Sequence, residues 1–187
     1  MKEKIQNLFT TIFLVIFCVT VFEVATTKTA ASQSNYFRVK SHPQFDKKFA
    51  GKTHVLDGDS IKVGRNEVRL YGLDAPEFHQ TCFDEKNEEY RCGQASYDFL
   101  SNLVEGKEVN CIYSGKDKYD RFLSKCFIDK ISINEEIVKN GMAVIYNFTE
   151  SSEEMDALEA QAKEKKSGIW KGAFQLPKDY RKSHPRN

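Results

Sequence analysis

Three carboxylates and two arginines carry the chemistry legible in this chain: Asp59, Asp74, Glu77, Arg69 and Arg121. Asp59 closes an Asp57-Gly58-Asp59 turn, and Asp74 and Glu77 flank Ala75-Pro76. Their hard oxygen atoms suit Ca²⁺ or Mg²⁺ rather than zinc. An ion held there would polarise a phosphate oxygen and lower the pKa of a bound water. Arginine suits the phosphate itself, because its planar fork donates to two oxygens at once and never loses its charge. Glu77 is placed to take a proton from an attacking water. Together these types point to hydrolysis of a phosphodiester.

The elements that must position them follow from period and punctuation. Apolar runs at 53–56, 61–63 and 68–73 are separated by the Asp57-Gly58-Asp59 and Gly64-Arg65-Asn66 turns, which predicts a three-stranded meander. In the third strand Val68 and Leu70 share one face and Arg69 takes the other. Pro76 stops pairing just past Asp74. Residues 78–93 form an acidic loop, and apolar spacing predicts a helix over 94–104 with Gly106 after it. Two further strands, 108–113 and 122–128, are joined by a hairpin loop that ends at Arg121. A short helix at 134–139, an extended stretch at 142–146 and a helix from a Ser151-Ser152-Glu153-Glu154 capping box to Lys166 complete the pattern. Five short strands with a helix between the third and fourth give an α+β, mainly β class. This is the oligonucleotide-binding (OB-fold) barrel with three helices.

The ends of the chain are of another kind. Residues 1–4 are short and basic, 8–22 are almost wholly apolar, and 25–32 are small and polar. That is the layout of a secretory signal with a Thr29-Ala30-Ala31 cleavage site, or of an uncleaved anchor through 8–22. The expected organisation is a signal peptide or anchor at 1–31, a linker at 32–48, the barrel domain at 49–172 and a basic, partly irregular tail at 173–187. The expected location is outside the cytoplasm, secreted or periplasmic, with membrane anchoring as the alternative. Of 28 Lys and Arg and 27 Asp and Glu, residues 1–31 take three and two, which leaves the remainder neutral at 25 of each. Wholesale electrostatic capture of nucleic acid is thereby disfavoured, though a local site is not. Cys82, Cys92, Cys111 and Cys126 remain after export, an even set that reads as two disulfides in an oxidising compartment. Three pairings are possible, and geometry favours Cys82 with Cys92 and Cys111 with Cys126. The spacing is too wide for paired zinc ligands.

Three separated motifs resemble those of the staphylococcal nuclease (thermonuclease) family. They are Val55-Leu-Asp-Gly-Asp59-Ser60, Val68-Arg69-Leu-Tyr-Gly-Leu-Asp74-Ala-Pro-Glu77 and Asp117-Lys-Tyr-Asp-Arg121. Asn140-Gly-Met-Ala143 and the stretch from Ala160 to Trp170 also match in order and spacing, so the likeness runs from about Phe49 to Trp170. The resemblance implies the five-stranded barrel and an endonuclease that cuts DNA and RNA, preferring single strands and leaving 3′-phosphate ends. It implies one Ca²⁺ held by Asp59, Asp74 and the backbone carbonyl of Ala75, with Glu77 as general base and Arg69 and Arg121 stabilising charge on the phosphate. Lys118, Tyr119 and Tyr146 correspond to substrate-contacting positions. Family members usually carry Thr at the Ala75 position and more often Gly at the Asp120 position, and the Cys82–Cys92 loop is absent from the best-known one.

Each feature also has a plain reading. Asp57 caps its turn, Arg69 alone would be a strand-face ion pair, Trp170 packs the last helix onto the body, and the four histidines are local surface residues. The rival function is a non-catalytic module that binds single-stranded nucleic acid by stacking and charge. Keeping all five acids and arginines favours the enzyme. No protein partner is implied, and the expected state is a monomer.

Overall fold

Alternation builds the barrel. A computed structural model of the chain describes residues 43–146 and 152–185. The signal or anchor and most of the linker lie outside the described residues, which all fall within one compact unit, His42–Asn187. Strand β1 (Lys47–Asp57) buries Thr53 and Val55 and exposes His54 between them and Leu56 after them. β2 (Ser60–Val63) and β3 (Asn66–Leu70) bury Ile61, Val63, Val68 and Leu70 on the same inner face. β1 pairs with β2 and with β7 (Glu108–Lys116), and β7 pairs with β8 (Phe122–Ile128). A parallel pairing of β3 with β8 closes the ring of five, so the sheet has no free edge at that seam.

β1 runs six residues further toward the N-terminus than its apolar core at 53–56 predicts. Its first half lies against β7, from Lys47 opposite Tyr113 to Lys52 opposite Glu108. Backbone hydrogen bonds to a neighbour sustain a strand whose side chains carry little hydrophobic signal. The expected run 68–73 breaks instead at Gly72, whose φ of 86° suits a residue without Cβ. After it β4 (Leu73–Asp74) leaves the barrel and pairs with β10 (Val144–Ile145), which sets Asp74 opposite Val144.

The acidic loop holds a small hairpin of β5 (Cys82–Phe83) and β6 (Glu89–Tyr90). Both favoured disulfides form: Cys82–Cys92 joins this hairpin to the start of α1 (Cys92–Val104), and Cys111–Cys126 links directly opposed residues of β7 and β8. β9 (Ile131–Ser132) leads into α2 (Ile133–Lys139), where Ser132 accepts a hydrogen bond from the Glu135 N–H as N-cap. Leu100 and Val104 of α1 and Ile133, Ile137 and Val138 of α2 seal the barrel core. In α3 (Glu153–Glu164) the N-cap is Ser152, bonded by the Met155 N–H, one residue later than the capping box predicts.

The tail corrects the helix count. Where three helices and a partly irregular tail were expected, there are four among the described residues, the last being α4 (Pro177–Ser183). Pro177 at its first turn, Asp179 there too, and Arg181 with Lys182 in the last turn are the local signals for it. Seven residues are too few to show an apolar period. No helix among the described residues is long and apolar enough to cross a membrane.

Candidate active site

The Asp57-Gly58-Asp59 turn between β1 and β2 packs directly on the end of β4. A Cβ on Gly58 would lie 2.9 Å from Ala75 Cβ and 3.0 Å from Ser96 Cβ, so only glycine permits this approach. The approach buries Asp59 and sets its two oxygens to separate partners. Oδ2 accepts the Ala75 N–H at 2.9 Å, and Oδ1 accepts the Ser60 hydroxyl at 3.0 Å and Arg69 Nη1. Arg69 rises from β3 on the face opposite Val68 and Leu70, and its Nη2 reaches Asp74 Oδ1 at 2.7 Å. One guanidinium thus spans the two carboxylates that the resemblance assigns to the metal.

Arg121 joins from the β7–β8 loop. Asp117 organises that loop, with Oδ1 accepting the backbone N–H of Tyr119 and of Arg121, while Oδ2 takes Arg121 Nε and Nη2 at 2.9 and 2.7 Å. The remaining Nη1 lies 3.3 Å from Ser60 Oγ, which connects Arg121 through Ser60 to Asp59. Asp120 takes the left-handed conformation, φ 67°, that Gly would adopt more easily, so the turn is kept at some backbone cost.

Glu77 is set by packing from behind. Its N–H donates to the side chain of the fully buried Gln80, whose Nε2 donates to the Gln175 carbonyl at 2.6 Å. The start of α1 presses on the same turn: a Cβ on Gly93 would stand 2.6 Å from Glu77 C and closer still to its carbonyl oxygen. The Cys82–Cys92 bridge lies next to this contact.

Two residues enter the cluster that sequence reasoning did not place there. Asp57 caps its turn as expected, accepting the Gly58 N–H at 2.8 Å. Burial and then the neighbouring Asp59 carboxylate also push its carboxyl up to about 6, so it belongs electrostatically to the acidic group. Arg181 of α4 is the second. Its Nη1 lies 2.9 Å from Glu77 Oε1 and 3.0 Å from Asp74 Oδ1, and its Nη2 lies 2.9 Å from Asp74 Oδ2. The helix signals around Pro177 were available in the sequence; nothing there pointed Arg181 at Asp74.

Charge balance governs the interior of the site. Burial raises the Asp59 carboxyl, against Arg69, the Ala75 N–H and Ser60, which all favour the anion. Burial also opposes charge on Arg69 and Arg181, but the carboxylates around each more than offset it and both stay protonated. At Asp117 burial is outweighed by the bonds from Arg121, and its carboxyl sits below the usual range.

The residues expected on the substrate side, Lys118, Tyr119 and Tyr146, surround this cluster rather than join it. Tyr119 is 67% exposed at the loop tip, with Lys118 Nζ 4.9 Å and Arg121 Cζ 5.4 Å from its ring centre. Tyr146 lies on the opposite flank, its N–H bonded to the Gly72 carbonyl, and lines a cavity of about 130 Å³ together with Asp74, Lys163, Trp170 and Lys178. As placed, no three His, Cys, Asp or Glu side chains among the described residues converge as a metal-holding group. The acid oxygens face guanidinium groups instead. The donor chemistry nevertheless fits a hard divalent cation, since Asp59 and Asp74 are buried carboxylates turned to one shared positive centre.

Comparison with known proteins agrees with this geometry. The family model described as staphylococcal nuclease homologue matches residues 67–172, more than half of the chain. The chain is 33% identical over 123 residues to the succinoglycan biosynthesis protein ExoI of Rhizobium meliloti (strain 1021), covering 65% of this chain and 64% of that one. It is 32% identical over 128 residues to an uncharacterized endonuclease of Escherichia coli O157:H7, covering 66% and 77%. It is 35% identical over 141 residues to an uncharacterized endonuclease of Haemophilus influenzae, covering 72% of each. The chain thus spans just under two thirds of the first of these relatives and more of the other two. With the family's motifs assembled on a closed barrel and its model matched from β3 onward over more than half of the chain, this chain belongs to the staphylococcal nuclease homologue family.

Proposed function

We propose that the protein is a calcium-dependent endonuclease that hydrolyses phosphodiester bonds of DNA and RNA, prefers single strands and leaves 3′-phosphate ends. The observation that carries the reading is one unbroken run of polar contacts through Arg121, Ser60, Asp59, Arg69 and Asp74. Relatives named as endonucleases support the nuclease itself. Asp59, Asp74 and the Ala75 carbonyl would hold one Ca²⁺. Such an ion, when bound, supplies positive charge against a phosphate oxygen and acidifies a water.

The chain's own residues do the rest. Arg69 and Arg121 donate N–H groups to the phosphate oxygens, where negative charge grows as the water oxygen bonds to phosphorus. Glu77 takes the proton lost by that water, and the bond from phosphorus to the 5′ oxygen breaks in line, the leaving oxygen taking a proton from solvent to end as a hydroxyl. Lys118, Tyr119 and Tyr146 hold flanking nucleotide groups on either side. Export through residues 1–31, cleaved or kept as an anchor, is part of the same reading, and two disulfides support an oxidising compartment.

The test is cleavage of single-stranded DNA by the oxidised protein, with calcium, with chelator, and as Arg121→Ala. Cutting should require calcium and fall by about 10²–10³ in the variant, as for loss of one oxyanion donor. Binding without cutting would replace the enzyme with the nucleic-acid-binding barrel.

A further inference from the structure

Arg181 occupies the acid side of the site as a cation would. Its guanidinium is bidentate on Asp74 and reaches Glu77 with the same Nη1. Arg69 holds Asp59 and the other flank of Asp74. A carboxylate offers about four lone-pair directions, and at Asp74 three are already taken, two of them by Arg181. The Asp74 side chain is 2% exposed, whereas Arg181 is 36% exposed, so of the two guanidinium partners of Asp74 Arg181 has the more open path to solvent.

The helix that carries Arg181 is built to be separable. α4 has seven residues and is anchored by buried Pro177 and by the Gln80 bond to Gln175 just before it. Besides Arg181, Tyr180 donates its hydroxyl to the His79 carbonyl at 3.5 Å, while Lys182 pairs with Asp179, Ser183 bonds with Gln175 and Tyr180 stacks on His184, all near in sequence. A seven-residue helix that contributes nothing to the closed ring of strands can leave without unfolding the barrel.

We infer that Arg181 is a tethered cation that competes with the divalent ion for Asp74 and Glu77, so that metal loading and release of α4 are linked. The linkage rests on the reading of Asp59 and Asp74 as metal-holding residues. Adding two positive charges beside a docked guanidinium sets like charges together, and the ion also needs Asp74 oxygen that Arg181 now uses. Each therefore weakens the other's hold by the same factor.

Isothermal titration of the full oxidised chain with Ca²⁺ alone tests this, comparing wild type, Arg181→Met, Arg181→Lys and Lys182→Met. Arg181→Met should bind roughly tenfold tighter or more, since about one to two charge-assisted bonds no longer oppose the ion. Arg181→Lys, which keeps the charge but not the fork, should fall between. Lys182→Met removes the same charge from the same helix without touching the site, and should stay near wild type. Hydrogen exchange supplies the second readout: Ca²⁺ should speed exchange of the α4 amides in wild type. Equal or weaker binding by Arg181→Met, or α4 amides still protected at saturating Ca²⁺, overturns the competition while leaving the metal reading standing. Absence of Ca²⁺ binding in all four chains overturns both.

Discussion

Adding one methyl group at Gly93 should damage the site from behind. Gly93 is the second residue of α1, and its missing side chain faces the backbone of Glu77 and Phe78. A Cβ would stand 2.6 Å from Glu77 C and 2.8 Å from Phe78 C, where ordinary contacts begin near 3.4 Å. Both partners are backbone, so no flexible side chain can turn aside, and the Glu77 segment must retreat by about 1 Å. A displacement of that size at a catalytic group can cost about 10²-fold, or roughly 2.7 kcal/mol of barrier. Overpacking should also lower stability by about 1–3 kcal/mol, offset by up to about 1 kcal/mol because alanine favours a helix more than glycine does. The assay is initial-rate cleavage of a fluorogenic single-stranded oligonucleotide, with kcat and KM separated, beside thermal unfolding. Gly93→Ala should lose kcat with KM nearly unchanged, because in the proposed mechanism Glu77 acts on the reacting water and not on substrate binding. Gly115→Ala is the control, since a Cβ there meets nothing within 4 Å. If Gly93→Ala keeps kcat and melting temperature within experimental error of the parent, the α1 contact does not position Glu77.

Other perturbations separate the remaining parts. Asp117→Asn should loosen Arg121 and lower kcat by about tenfold, in line with loss of a charge-assisted pair; stopped-flow or steady-state cleavage reads it. Because the folded Asp117 pKa lies below its ordinary value of 3.8, its stabilisation is fully present above that pH and is lost as pH falls through the lower folded value. Acid unfolding should therefore start at higher pH in wild type than in Asp117→Asn once the curves are compared at equal neutral-pH stability. Replacing Cys82 and Cys92 together by Ser opens a loop of sequence separation 10 and should cost about 3 kcal/mol in denaturant unfolding, with a fall in kcat because that bridge adjoins the Glu77 turn. Asp120→Gly removes a left-handed non-glycine residue and should raise stability by about 0.5–1 kcal/mol, less what the Lys116 ion pair contributes; unchanged or lower stability would show the strain to be already relieved.

Local chemistry was readable in the chain because it depends on neighbours in sequence. The Asp57-Gly58-Asp59 turn, the parity that sets Arg69 opposite Val68 and Leu70, the hairpin that delivers Arg121 and the opposed cysteines of β7 and β8 all follow from periods of a few residues. So did the class of barrel. Tertiary packing alone decided what lies far apart along the chain. The β3–β8 seam that closes the barrel, the early half of β1, and the contacts that forbid a side chain at Gly58 and Gly93 carry no periodic signal. Arg181 reaches Asp74 across 107 positions, from a tail that composition marks only as basic. A charge run states that its members will seek solvent or an opposite charge; which acid each one finds depends on where the folded chain brings its last helix, and here that is the buried carboxylate at the end of β4.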